Sequence, residues 1–134
     1  MVRYRLNFIR ATALVLTVVS FCRLFFGIDF TDESQYIAQA FGPLVGGKFF
    51  LTDRLFQQSG SIWATPFLWL YIKFFPTKVG MVIFFRLLYF AAALFTSALL
   101  YRALKKSLKA EESLALAILP VLYVPFSIPS ISYN

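Results

Sequence analysis

The feature that most restricts this chain is an uninterrupted apolar run over residues 79–101, 23 residues with a single charge at Arg86. At about 1.5 Å per residue, a helix of that length extends about 35 Å, enough to cross the hydrocarbon core of a bilayer. A helix apolar on all its faces has to be covered all round, which a chain of this size cannot do with its own surface. A second such run lies near the N-terminus, where Arg3, Arg5 and Arg10 precede residues 11–28. Its 18 residues extend about 27 Å, again close to a bilayer core.

Composition agrees with lipid as the solvent. The chain is 60% apolar, 19% aromatic and 14% charged, whereas soluble chains average about 45–50% apolar and about 25% charged. The net charge of +7 does not point to nucleic acid, because the basic residues stand mainly at the ends of apolar runs and not in one block. That arrangement sets membrane topology. The N-terminal segment has the basic-then-apolar order of a secretory signal, yet no small-residue cleavage site follows. Arg23, Leu24, Phe25 and Phe26 occupy that place, so residues 3–28 read as an uncleaved signal anchor. The absence of His removes Ser-His-Asp and Cys-His catalysis and the commonest zinc ligand. Cys22, the single cysteine, excludes an intrachain disulfide and reads as a small packed side chain.

Between the two runs the character changes. Residues 29–61 hold Asp29, Asp32, Glu33 and Asp53, four of the six acids, with Gly42, Gly46, Gly47 and Gly60. Within this extramembrane loop, the stretch from Thr31 to Phe41 reads as a short helix. Thr31 is suited to the N-cap, and Asp32 and Glu33 fall in the first turn, where the helix dipole favours negative charge. Ile37, Ala38 and Phe41 then offer an apolar side that can lie on a membrane surface.

Residues 62–75 are apolar but short, and Pro66 is expected to interrupt a spanning helix there. If they crossed, the loop carrying Arg102, Lys105, Lys106 and Lys109 would lie opposite Arg3, Arg5 and Arg10. If they are interfacial or re-entrant, both basic groups share the cytoplasmic side, as the positive-inside rule favours; Lys73 and Lys78 argue the other way. A third apolar run, residues 114–128, contains Pro120 and Pro125. The expected fold is therefore all-α and polytopic, with about three spans near 8–28, 79–101 and 114–129. The loop 29–78 is external and carries short interfacial helices, and the N-terminus is cytoplasmic. The chain stops just after the third run without a polar tail, and three helices alone would leave Arg86 facing lipid. Residues 1–134 are therefore expected to form the N-terminal part of a larger transmembrane domain.

Asp32 and Glu33 are the strongest candidates for chemistry. Two carboxylates beyond a spanning helix can stand at the mouth of a membrane cavity, where partial desolvation raises a carboxyl pKa and suits it to act as a base. Alternatively they are first-turn acids and nothing more. Arg86 either binds a lipid phosphate or holds a loop carboxylate, or its side chain snorkels to the interface. Arg23 is nearer a helix end and better suited to snorkelling. Arg54, beside Asp53, meets a phosphate or forms a solvated pair. Trp63, Trp69 and Tyr71 stack on a sugar or belong to an interfacial aromatic belt.

The order of elements adds to this reading. A first apolar helix is followed by F-T-D-E-S-Q-Y-I-A-Q-A-F, a D-R pair, the stretch W-A-T-P-F-L-W-L-Y, and a helix opening F-F-R-L-L-Y-F. This order resembles membrane glycosyltransferases of the GT-C class, most similarly the bacterial protein O-mannosyltransferase and lipid A aminoarabinose transferase relatives. Asp32, Glu33 and Tyr36 match the D-E-x-x-Y pattern that opens the first external loop of that group. The resemblance implies transfer of a sugar from a polyprenyl-phosphate carrier to an acceptor at the outer membrane face. Asp32 and Glu33 would be the catalytic acids, with Tyr36, Arg54 and Arg86 at the substrate. Many relatives carry Lys or His ahead of the prolines in the second part of the loop. Here Ser61 to Pro66 depart from that pattern. No cofactor is certain beyond the lipid-linked donor; carboxylates suit Mg²⁺ or Mn²⁺, but no ligand set is complete. The alternative from a different class is a small non-catalytic subunit that packs against a partner membrane protein through Arg23 and Arg86. In both readings the chain resides in the cytoplasmic membrane, contacts lipid and binds no nucleic acid.

Overall fold

The structure, a computed structural model, describes residues 2–26, 37–38, 40–41, 44, 58–75, 77 and 79–123. It is mostly helical, with no strand among the described residues. Among the described residues, five helices have continuous bounds: α1 (Val2–Arg23), α2 (Gln58–Phe74), α3 (Met81–Leu104), α4 (Ala110–Ala117) and α5 (Leu119–Leu122).

Two of these, α1 over Tyr4–Arg23 and α3 over Met81–Leu104, are long and apolar enough to cross a membrane. None of the apolar window of α1 is buried within the chain. Val15, Val18 and Val19 are more than half exposed, so the helix needs a covering that the rest of the described structure does not supply. The same exposure overturns the expectation for Cys22, which lies on the surface of α1 and not in packing.

The first helix was expected to reach residue 28 but ends at Arg23. Leu24, Phe25 and Phe26 donate their N–H groups three residues back, to Phe21, Cys22 and Arg23, at 3.1, 3.2 and 3.1 Å. A continuing helix would commit the carbonyls of Leu24 and Phe26 to residues four further on. Here those carbonyls are taken by a side chain from another helix, described below.

Residues 62–74 form the larger part of α2, which runs on through Pro66. The expected interruption does not occur. A proline costs the helix one backbone bond, but Ala64, Leu68 and Tyr71, at helical spacing, bury one face on either side of it. That face packs with Ala40, Met81 and Phe85 in a small core, against which Ile37, Phe41, Leu44, Phe84 and Leu88 rest. Ile37, Ala40, Phe41 and Leu44 follow an i, i+3, i+4, i+7 stripe, and all are helical. Of the apolar side expected of this segment, Ile37 and Phe41 pack against the core, whereas Ala38 is exposed and Ala40 takes the buried place. The contacts of α2 with α3 in this core fall on its first two turns, so α2 meets one end of the bundle.

The connection from α2 to α3 turns at Gly80, whose φ of 87° and ψ of −3° place it in the left-handed region as the N-cap of α3. The Tyr71 hydroxyl donates to the Val79 carbonyl just before it. A Cβ at residue 80 would meet the Tyr71 Oη at 3.4 Å, an ordinary contact, so the obstacle to a side chain is backbone strain. Gly80→Ala is expected to lower stability by about 1–2 kcal/mol, seen as a lower Tm of the purified protein in detergent; an unchanged Tm would remove the requirement for glycine.

After α3 the chain reverses through residues 105–109 and returns as α4 and α5, which pack against both α1 and α3. Ser113, Ala117 and Val121 are buried on this return, and Ala93 on α3. Such small residues let helix backbones approach closely. The return is not one continuous helix: it breaks at Ile118, and Val121 bonds to the Ile118 carbonyl at 3.0 Å in a three-residue turn. Pro120 explains the break, since it offers no N–H to the Leu116 carbonyl. Within the expected third span, 114–129, the described residues thus form two short helices.

Candidate functional site

The site is built around Arg86, in the second turn of α3. Its residue is 4% exposed, and Nη1 donates to the Leu24 carbonyl at 2.8 Å and to the Phe26 carbonyl at 3.3 Å. Both acceptors belong to the turn that ends α1, where helix carbonyls lack partners within the helix and the dipole concentrates negative charge. A guanidinium satisfies that end doubly, by hydrogen bonds and by charge. Within the chain, the Arg86 side chain turns inward to the end of α1. Nearby, the rings of Phe21 and Phe90 lie 5.6 Å apart and close the same junction.

A second anchor lies on α2. Thr65 is buried, and its hydroxyl donates to the Ala40 carbonyl at 3.5 Å. Together, Arg86 and Thr65 tie down both ends of the segment that runs from Phe26 to Ala40, and Asp32, Glu33 and Tyr36 lie within that segment by sequence. Asp32, Glu33, Tyr36 and Arg54 themselves fall outside the described residues. Among the described residues no group of three or more His, Cys, Asp or Glu side chains gathers to hold a metal.

Of the remaining candidates, Tyr71 is buried with its hydroxyl bonded to backbone, and its ring contacts Phe84 and Phe75 at 5.0 and 5.2 Å. It belongs to the core and neither stacks on a sugar nor joins a surface belt. Trp69 is 54% exposed with the Lys73 ammonium 5.1 Å from its ring centre, an arrangement compatible with an interfacial position. Arg23 is exposed in the last turn of α1. Thr65 was not singled out from sequence; a lone hydroxyl on the buried stripe of α2 was the available signal.

The opposite end of the bundle is also charged. Tyr4 and Arg5 of α1 line the same groove as Glu111 and Glu112 of α4, so the basic N-terminal residues and the lysine-bearing turn 105–109 occupy one end.

No family model, curated protein or solved structure matches this chain.

Proposed function

We propose that the chain is a cytoplasmic-membrane component of a glycosyltransferase that moves a sugar from a polyprenyl-phosphate carrier to an acceptor at the outer face. In this reading α1, α3 and the return through α4 and α5 are three crossings, and α2 lies in the interface. The Asp32 carboxylate takes the proton of the acceptor hydroxyl as its oxygen bonds to the anomeric carbon; the bond from that carbon to phosphate oxygen breaks, and polyprenyl phosphate leaves. Glu33 is the neighbouring acid, Tyr36 and Arg54 contact the donor, and Arg86 acts as a positioning residue.

The observation that carries the reading is the double anchoring of the segment around Asp32 and Glu33, by Arg86 on Leu24 and Phe26 and by Thr65 on Ala40. A loop pinned at one end to the two long apolar helices and at the other to α2 suits a site that must hold a carboxylate against a lipid-borne substrate. The common end of the basic N-terminus and the turn 105–109 supports an inside N-terminus with Asp32 and Glu33 outside. The exposed apolar surface of α1 favours the second reading, a non-catalytic subunit covered by a partner; there Asp32 is dispensable.

The outward placement is tested with Ser34→Cys in a Cys22→Ser background, in intact cells exposed to a membrane-impermeant maleimide. Labelling from outside is expected; labelling only after the cells are opened would sink the transfer reading. The catalytic assignment is tested by Asp32→Asn, whose expected kinetics are developed in the Discussion.

A further inference from the structure

A groove lies between the first half of α1 and α4, at the basic end of the bundle. Its outer part has a volume of about 530 Å³ and its inner continuation about 250 Å³, and the two share Phe8, Ile9 and Ala115. Deeper in, Ala13, Leu16, Leu114 and Ile118 continue the lining, with Thr12 the one hydroxyl among them, so the floor is mainly hydrocarbon along α1. The combined size falls in the range of small-ligand sites, about 300–1,000 Å³.

Only the mouth is charged, and there both signs occur. Arg5 stands on the α1 side, Glu111 and Glu112 on the α4 side. Glu112 already accepts the Lys109 backbone N–H at 3.2 Å, which fixes its carboxylate at the rim. Glu111 is half-buried. No ion pair joins Arg5 to either glutamate among the described residues, so the opposite charges flank the opening without closing it.

An apolar trough ending between a cation and two carboxylates fits a molecule that has a hydrocarbon chain and a headgroup with an anion followed by a hydrogen-bonding cation. We propose that the groove binds a phospholipid with a primary-amine headgroup, its acyl chain along α1, its phosphate at Arg5 and its ammonium at Glu111 and Glu112. A primary ammonium donates three hydrogen bonds, whereas a trimethylated one donates none, and a purely anionic headgroup meets the two carboxylates as like charges. The charge pattern thus selects among lipids that share the same chains. The inference rests on the membrane placement proposed above and is independent of sugar transfer.

The test uses the full chain reconstituted into phosphatidylcholine vesicles, with retained lipid read by native mass spectrometry after challenge with equimolar phosphatidylethanolamine and phosphatidylglycerol of the same acyl chains. Retention of phosphatidylethanolamine over both others by about tenfold is expected, the weight of one charge-assisted hydrogen bond. Glu111→Gln with Glu112→Gln should abolish the preference over phosphatidylcholine, and Arg5→Gln should weaken retention of all three. Equal retention of the three lipids, preference for phosphatidylglycerol, or an undiminished preference in the double variant would overturn the assignment while leaving membrane residence intact. Failure of the protein to enter vesicles at all would overturn the membrane placement and this inference together.

Discussion

Arg86→Leu is expected to lower the stability of the detergent-solubilised protein by about 3 kcal/mol, because it leaves the carbonyls of Leu24 and Phe26 without the donor that now serves them. Leucine fills part of the volume, so the loss is read as unpaired backbone and not as a cavity. Arg86→Lys keeps the charge but replaces a planar fork with a single ammonium, and should recover only part of the difference. The measurement is a denaturant or thermal unfolding curve for the three proteins. A ranking with leucine as stable as arginine would show that the end of α1 does not depend on this residue. In the enzymatic reading the same substitution slackens the anchoring of the segment that follows Phe26, and transfer falls even where the protein remains folded.

Asp32→Asn is expected to reduce sugar transfer about 10²–10⁴-fold, the range for loss of a positioned general base. Asparagine is nearly isosteric and uncharged, so insertion and the helix in which the residue is expected should survive. The assay is transfer from a polyprenyl-phosphate sugar in membranes carrying the intact protein, with kcat and KM separated. A fall confined to kcat marks a group that acts at the reacting bond. Undiminished transfer removes Asp32 from the chemistry, and absence of any transfer by the unaltered protein turns the balance to the subunit reading.

How far the sequence discloses this architecture depends on the residue. The apolar run after Val79 carried its own length and needed no tertiary information, and α3 follows it closely. The stripe of Ile37 and Phe41 was legible in part: the spacing marks those two, but the small residue on the packed side is Ala40 and not Ala38, a choice set by the facing Thr65 and Leu68 of the assembled core. Pro66 misled because the cost of one missing hydrogen bond is local, whereas its compensation, the burial of Ala64, Leu68 and Tyr71 against Ala40, Met81 and Phe85, is a property of the assembled core. The end of α1 is harder to place: Leu24, Phe25 and Phe26 continue the apolar run past Arg23, and only Gly27 signals a stop locally. The carbonyls just past its end are held by a guanidinium 62 and 60 residues away. Arg86 stands out as a charge inside an apolar run, but the Leu24 and Phe26 carbonyls that accept from it have no signature in the amino-acid letters. Tyr71 looked like one aromatic among many until its hydroxyl met the Val79 carbonyl.

The separation of Arg86 from its acceptors also sets an order of events during synthesis. The donor lies 62 residues beyond Leu24 and 60 beyond Phe26, so the first helix emerges and enters its environment long before its last carbonyls can be satisfied. Until α3 arrives alongside, that terminus is open to water or to a passing chaperone, and chains arrested before residue 86 should keep it frayed. Closure of the junction between α1 and α3 is thereby delayed until the second of the two helices has been made.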